Sequence, residues 1–313
     1  MDTSAIIFEK PGSLLLDQLE LIDPARDDVV AETLMSGIST GTEKMLFEGS
    51  MPTFPGMSYP LVPGYESVAR VVEAGPTSGR RVGDIVFAPG ASCFKGAAGL
   101  FGASASRLVL AGQRAIPVPA DIAEDAILLA LAATAHHAVK RAGSPVDIVI
   151  GHGVLGRLIA RIACTLDQQP PRVLENCADR RSVATQYEVS DPEADDREGS
   201  CHCIIDASGN QAALDPAIKR LERGGELVLA GFYGKRVSFD FPSAFMREIT
   251  ISLASEFKPE DIHAVLALVV SGALSLQGLV THHAPPSAAE SAYRTAFGDP
   301  SCLKMAIDWR NAA

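Results

Sequence analysis

The chain has 313 residues, 47% hydrophobic and 21% charged, and a formal net charge of −11, a composition that fits a globular protein of about two domains. With no cationic block longer than Arg80-Arg81 or Arg180-Arg181, it offers no clustered charge to neutralise phosphates, which argues against nucleic acid and for a small-molecule partner. The longest apolar runs, 126–133 and 264–270, are too short for a membrane span, and the acidic opening Met1-Asp2-Thr3-Ser4 does not resemble a secretory signal, so a cytoplasmic location is expected.

The first 120 residues hold 14 Gly and 10 Pro. Segments 67–72, 84–87 and 106–110 are short and β-branched or apolar, with turn signals such as Ala74-Gly75-Pro76 and Ala88-Pro89-Gly90 between them, the texture of many short strands. From Asp121 the chain turns to long Ala/Leu-rich helical stretches and then to alternating strands and helices, which predicts βαβ units and a parallel sheet. Strands are expected at 147–150, 172–175, 203–207, 226–230 and 249–253. The intervening helix with Leu214, Ile218 and Leu221 on one face should stop at Gly224-Gly225. Residues 259–270 should form a helix begun by Pro259, and 190–200 an acid-rich solvated loop. Domains are expected at 1–118, 119–251 and 252–313, the last returning to the first.

Gly151-His152-Gly153-Val154-Leu155-Gly156 stands between the first of these strands and its helix, and Glu175 follows 19 residues later at the end of the next strand. In that context G-x-G-x-x-G predicts a dinucleotide site. The first glycine permits the tight turn, the second lets backbone approach a pyrophosphate, and the third lets helix pack on strand. Glu175 would accept the ribose hydroxyls and repel a 2′-phosphate, favouring NAD over NADP, with Arg180 and Arg181 weighing the other way. Asn176, Arg180, Ala207, Ser208, Gly231 and Phe232 complete the expected cofactor-binding set.

Several runs carry a family resemblance over nearly the whole chain: Ser36-Gly37-Ile38-Ser39-Thr40-Gly41-Thr42-Glu43, Pro63-Gly64-Tyr65-Glu66, Gly83-Asp84-Ile85-Val86, Thr134-Ala135-His136-His137-Ala138 and Gly224-Gly225. In these the chain resembles the medium-chain dehydrogenase/reductase superfamily. The resemblance implies an α/β fold: a Rossmann doubly wound parallel sheet plus a β-rich, GroES-like substrate domain. More narrowly, the run through Lys44, residues 51–66 and Ala132-Ala133-Thr134-Ala135-His136-His137 resemble the 3-hydroxyethyl bacteriochlorophyllide a dehydrogenases of bacteriochlorophyll biosynthesis. That implies NAD-dependent oxidation of a 3-(1-hydroxyethyl) group to 3-acetyl on a bacteriochlorophyllide-type macrocycle. Contact with the periphery of the photosynthetic membrane and a homodimer are further expectations.

Zinc enzymes of the superfamily carry cysteine where this chain has Ser39 and histidine where it has Tyr65, and the third ligand position, near Leu131, offers none. Residues 92–106, where a structural zinc would need four cysteines, hold only Cys93. No metal is therefore expected, and a side chain must take the alcohol proton. Tyr65, His136, Ser39 and Thr42 are the catalytic candidates. The six cysteines are too scattered for a disulfide framework. Cys201 and Cys203 should face one side of a strand and His202 the other, and His282-His283 should form an exposed turn. Met45, Met51, Phe54, Met57 and Tyr59 either line a macrocycle pocket or pack under loops. The competing functions are a zinc-free NADPH-dependent quinone or enoyl reductase and a nucleotide-binding protein without turnover.

Overall fold

The structure is a computed structural model that describes residues 1–53, 55–167, 169–182, 186–195, 197–234 and 236–311. Its internal contacts divide the chain into two units, Met1–Ala130 with Gln277–Ala313, and Leu131–Leu276. The sequence predicts boundaries near 118 and 251, with the last segment returning to the first domain. The first division falls later because the 3-10 turn Asp125–Leu128 packs on strands Asp28–Ile38 and Ser67–Ala74. The second falls later because helix Pro259–Val270 is tied to helix Leu129–Arg141 through side chains of the same unit.

In the first unit a sheet runs His282–Ala284, Met305–Asp308, Asp28–Ile38, Ser67–Ala74, Ile85–Ala88, Ile116–Pro117, with Arg107–Ala111 also paired to Asp28–Ile38. All its pairings are antiparallel except that of His282–Ala284 with Met305–Asp308. His282-His283 is therefore strand rather than turn. A second sheet orders Ser13–Glu20, Asp2–Lys10, Leu61–Val62 and Ala98–Gly99. One core cluster fills the space around Val30, Val71, Phe94 and Leu108; another gathers Ile6, Phe8, Leu46, Tyr293 and Trp309. The second cluster draws on both ends of the chain, which is why the last 37 residues belong to this unit.

The second unit is built on six parallel strands, in the order Val189–Ser190, Arg172–Leu174, Ile148–Ile150, Cys201–Asp206, Leu221–Leu229, Thr250–Leu253. Numbered along the chain this is 3-2-1-4-5-6, the dinucleotide-binding order whose switch point lies between strands 1 and 4. Cys201 and Cys203 are buried and His202 is exposed, as strand alternation requires. Two local expectations fail. Helix Leu214–Arg220 ends before Gly224, because the fully buried Leu221 takes an extended backbone into the sheet. Gly224, with φ of 80°, then serves an irregularity in that strand instead of a helix cap. The acid-rich segment is not wholly solvated either. Asp195 is buried, bonded by Arg172 Nη1 at 2.5 Å and Arg197 Nε at 2.9 Å.

Candidate active site

Strand Ile148–Ile150 delivers the chain into the glycine turn, and helix Val154–Asp167 leaves it with Leu158, Ile159 and Ile162 buried on one face. Gly151 has φ of 95°, a conformation that disfavours any side chain. A Cβ on Gly156 would stand 1.8 Å from the Gly151 carbonyl oxygen, so that glycine permits the close approach of helix to strand. A Cβ on Gly153 would meet only Arg180 Nη1, at 3.9 Å. The middle glycine thus keeps space open above the turn beside a guanidinium, and the cradle fits a dinucleotide pyrophosphate.

Glu175 follows strand Arg172–Leu174 and is buried. Its Oε2 accepts the His152 backbone N–H at 2.7 Å and its Oε1 that of Cys177 at 2.8 Å, which ties the carboxylate to the glycine turn and leaves lone pairs for ribose hydroxyls. Arg181 turns inward: Nη1 donates to the carbonyls of Glu175 and Asn176, both at 2.7 Å, and pairs with Asp191 at 2.9 Å. Asn176 itself is exposed. Val154 is buried at the helix start and Leu155 half-buried.

Asp206 ends the strand at the switch point and is fully buried. Its Oδ1 accepts the Ser208 hydroxyl at 2.6 Å, and its Oδ2 accepts the Gly209 N–H at 3.0 Å and the Tyr233 hydroxyl at 2.5 Å. The Gly231 N–H donates to the Asp206 carbonyl at 2.8 Å, and a Cβ there would stand 2.3 Å from Gly209 N. One carboxylate therefore organises the turns that carry Ala207, Ser208, Gly231 and the exposed Phe232. Burial, then Asp206, pushes the Tyr233 phenol well above its ordinary range. Sequence reasoning missed Asp206; a lone acid closing an apolar strand run was the available signal.

In the first unit the register pairs Ser36 with Ser67, and the Gly37 N–H donates to the Glu66 carbonyl at 2.7 Å. That pairing sets Ser39, just past the end of one strand, against Tyr65, just before the start of the other. Tyr65 Oη donates to Ser39 Oγ at 2.7 Å, Ser39 Oγ lies 3.1 Å from Thr42 Oγ1, and Thr42 Oγ1 donates to Tyr65 Oη at 3.4 Å. Three of the four catalytic candidates thus form a closed triangle of hydroxyls. Burial first, then Glu66, pushes the Tyr65 phenol above its ordinary range.

Beneath the triangle lies a polar layer whose pairing carries no local sequence signal, because Glu43 and Glu66 find their partners in distant parts of the chain. Glu43, 1% exposed, accepts the Ser39 N–H at 2.9 Å and the Tyr293 hydroxyl at 2.8 Å. Burial raises its carboxyl to about 7, against the lowering effect of those two donors. Lys304 donates to Glu66, both buried. A Cβ on Gly37 would stand 2.7 Å from Glu66 Oε2 and from Lys304 Cε, so glycine makes room for the pair.

His136 lies in the other unit. Its Nδ1 is 2.7 Å from Asp261 Oδ1, and His137 Nδ1 is 3.1 Å from Asp261 Oδ2. Burial raises the Asp261 carboxyl, but the Lys258 backbone N–H and the two imidazoles outweigh it and hold the group below the usual aspartate value. A carboxylate only accepts, so each Nδ1 donates to Asp261 and each Nε2 is left facing away from that contact.

The donor set does not fit the zinc that the superfamily implies. Ser39 and Tyr65 offer hydroxyls, and among the described residues no three His, Cys, Asp or Glu converge as ligands. Cys93 is buried, with burial pushing its thiol up to about 11. Met51 is buried and Met45, Met57 and Tyr59 pack against the cluster around Leu46, while Phe54 lies outside the described residues.

A glycine turn at the switch point of a 3-2-1-4-5-6 sheet, in a chain with a separate β-rich unit, defines the class of medium-chain dehydrogenases/reductases. No protein-family model matches the chain. It is 49% identical, over its whole length and theirs, to the 2-desacetyl-2-hydroxyethyl bacteriochlorophyllide A dehydrogenases of Cereibacter sphaeroides and Rhodobacter capsulatus. Solved structures of like fold include a dehydrogenase of Sinorhizobium meliloti bound to NADP (TM-score 0.82) and an alcohol dehydrogenase of Escherichia coli complexed with NADH (TM-score 0.81). Each is 18% identical and aligns over 98% of this chain and 99% of its own. The chain belongs to the 2-desacetyl-2-hydroxyethyl bacteriochlorophyllide a dehydrogenase family.

Proposed function

We propose that the chain is a zinc-independent, NAD-dependent alcohol dehydrogenase that oxidises the hydroxyethyl group of bacteriochlorophyllide a to acetyl. The full-length identity of 49% to dehydrogenases named for that substrate carries the assignment. When bound, the dinucleotide supplies the hydride acceptor at its nicotinamide ring. The carbinol carbon loses a hydride and its oxygen a proton, so one ketone, one reduced cofactor and one proton result.

The glycine turn would seat the pyrophosphate and Glu175 the ribose hydroxyls. Support for NAD over NADP comes from that carboxylate and from Arg181, whose charge is already engaged by two carbonyls and Asp191. The proton route is the hydroxyl triangle. Tyr65 Oη points its own hydrogen at Ser39, so it meets the substrate hydroxyl as an acceptor; as it gains the substrate proton, its own passes to Ser39 and that of Ser39 to Thr42, which turns its hydroxyl hydrogen from Tyr65 to water. Thr42 is half-buried next to the exposed Gly41, which gives the proton an exit to water. His136 Nε2 is the competing acceptor, its tautomer set by Asp261.

Purified protein mixed with NAD and the hydroxyethyl macrocycle should convert it to the acetyl product, seen as a change in the macrocycle's absorption, and should do so in chelator. No conversion with either dinucleotide, or activity lost together with about one zinc per chain, overturns the proposal. Direct titration should give tighter binding of NAD than of NADP, and Glu175→Ser should narrow the gap; a wild-type preference for NADP would refute the role given to Glu175.

A further inference from the structure

His152 occupies the first variable position of the glycine turn, where the motif itself asks for no particular side chain. Here the residue is 0% exposed and every polar group it has is engaged. Its N–H donates to Glu175 Oε2 at 2.7 Å and its carbonyl accepts Arg157 Nε at 3.0 Å. Its Nδ1 lies 2.7 Å from the Arg180 carbonyl oxygen, and its Nε2 lies 3.1 Å from Tyr187 Oη, with the two rings edge to face at 5.7 Å.

These contacts fix the tautomer. A carbonyl oxygen only accepts, so Nδ1 bears the hydrogen; a neutral ring then accepts at Nε2, and the Tyr187 hydroxyl donates to it. Burial lowers the imidazolium to about 4, so the ring stays neutral across the physiological range. Arg157 Nη2 adds a second donor to the Arg180 carbonyl at 3.4 Å. The main chain of Arg180, in the four-residue helix Ala178–Arg181, is thus tied to the turn from beneath, while its guanidinium stands beside Gly153. A helix this short has little stability of its own.

We infer that His152 is a positioning residue, which acts through Arg180 to hold a cation where the pyrophosphate of the dinucleotide crosses Gly153. The inference rests on the dinucleotide reading proposed above. In that arrangement the turn supplies backbone donors and His152 keeps Arg180 from drifting, so it governs cofactor affinity without touching the cofactor.

A double-mutant cycle on the full chain tests this, with NAD binding measured calorimetrically and kcat measured at saturating NAD. His152→Leu should weaken NAD about tenfold, the equivalent of one buried hydrogen-bonding group left unpaired, and kcat should stay within about threefold. Arg180→Ala should weaken it by a similar factor, and the double variant by no more than the larger single loss. His152→Asn, whose amide reaches the Arg180 carbonyl as Nδ1 does, should recover most of the affinity. Additive losses, unchanged affinity in the leucine variant, or a fall in kcat alone would overturn the inference. Should the leucine variant not fold, the cycle is run with Tyr187→Phe, which removes the second tether of the ring: loss in the Arg180 background and none in the alanine background supports the inference, and equal losses contradict it. Wild type that binds neither NAD nor NADP contradicts the dinucleotide reading itself, whereas normal wild-type binding with unaffected variants contradicts only the role of His152.

Discussion

In the proposed route Tyr65 is a conduit and not a store for the proton. Burial pushes its phenol above the ordinary range, so a phenolate is disfavoured at neutral pH, and the hydroxyl contributes by accepting one proton as it passes another to Ser39. Tyr65→Phe should therefore lower kcat by at least about 100-fold, the low end of acid/base effects, with NAD affinity unchanged. His136→Ala is the matching control. If it, and not Tyr65→Phe, abolishes turnover, the proton leaves through the imidazole. Glu43 carries a separate consequence. Its carboxyl titrates near 4.5 unfolded and about 7 folded, so the stability it contributes is complete below pH 4.5 and is lost as pH rises to 7. Glu43→Gln should flatten the decline of Tm across that window, and an unchanged slope in melts from pH 4.5 to 7 would show that Glu43 is ionised in the fold.

At the scale of elements, two glycines of one turn should behave in opposite ways. A side chain at Gly153 meets only the tip of Arg180, at ordinary contact distance, so Gly153→Val should fold and melt normally but lose NAD binding in titration. A side chain at Gly156 collides with the Gly151 carbonyl, so Gly156→Val should fail to fold or lose several kcal/mol of stability. Equal affinity losses with equal stability in both variants would count against this division of roles. The turn and its flanking strands were legible because local spacing alone defines them: apolar run, three glycines, apolar helix face, acid at the next strand end. The long strands Asp2–Lys10, Ser13–Glu20 and Asp28–Ile38 were not read from the sequence. Asp28–Ile38 is buried on both sides for much of its length, so it lacks the alternation that marks a half-buried strand. Gly224-Gly225 misled in the other direction, since a glycine pair marks a strand irregularity as readily as a helix stop.

For the molecule as a whole, what escaped the sequence is what crosses it. Tyr293 reaches Glu43 over 250 positions, Lys304 reaches Glu66 over 238, and Asp261 reaches His136 over 125; no periodicity encodes such pairs. The candidates Ser39, Thr42 and Tyr65 were legible because the family resemblance sets Ser39 and Tyr65 where zinc ligands would stand and a side chain must then take the proton, but the role of the buried carboxylates beneath them was not. In the proposed reading a hydroxyl relay over those carboxylates stands in for metal ligands, and that is the claim most open to test. The hydroxyethyl substrate carrying deuterium at its carbinol carbon, turned over with NAD in chelator, allows the reduced cofactor to be weighed by mass spectrometry. Direct hydride transfer by a metal-free site predicts one deuterium in each NADH formed and none in the solvent. Unlabelled NADH, or turnover that stops in chelator and returns with zinc, would contradict it.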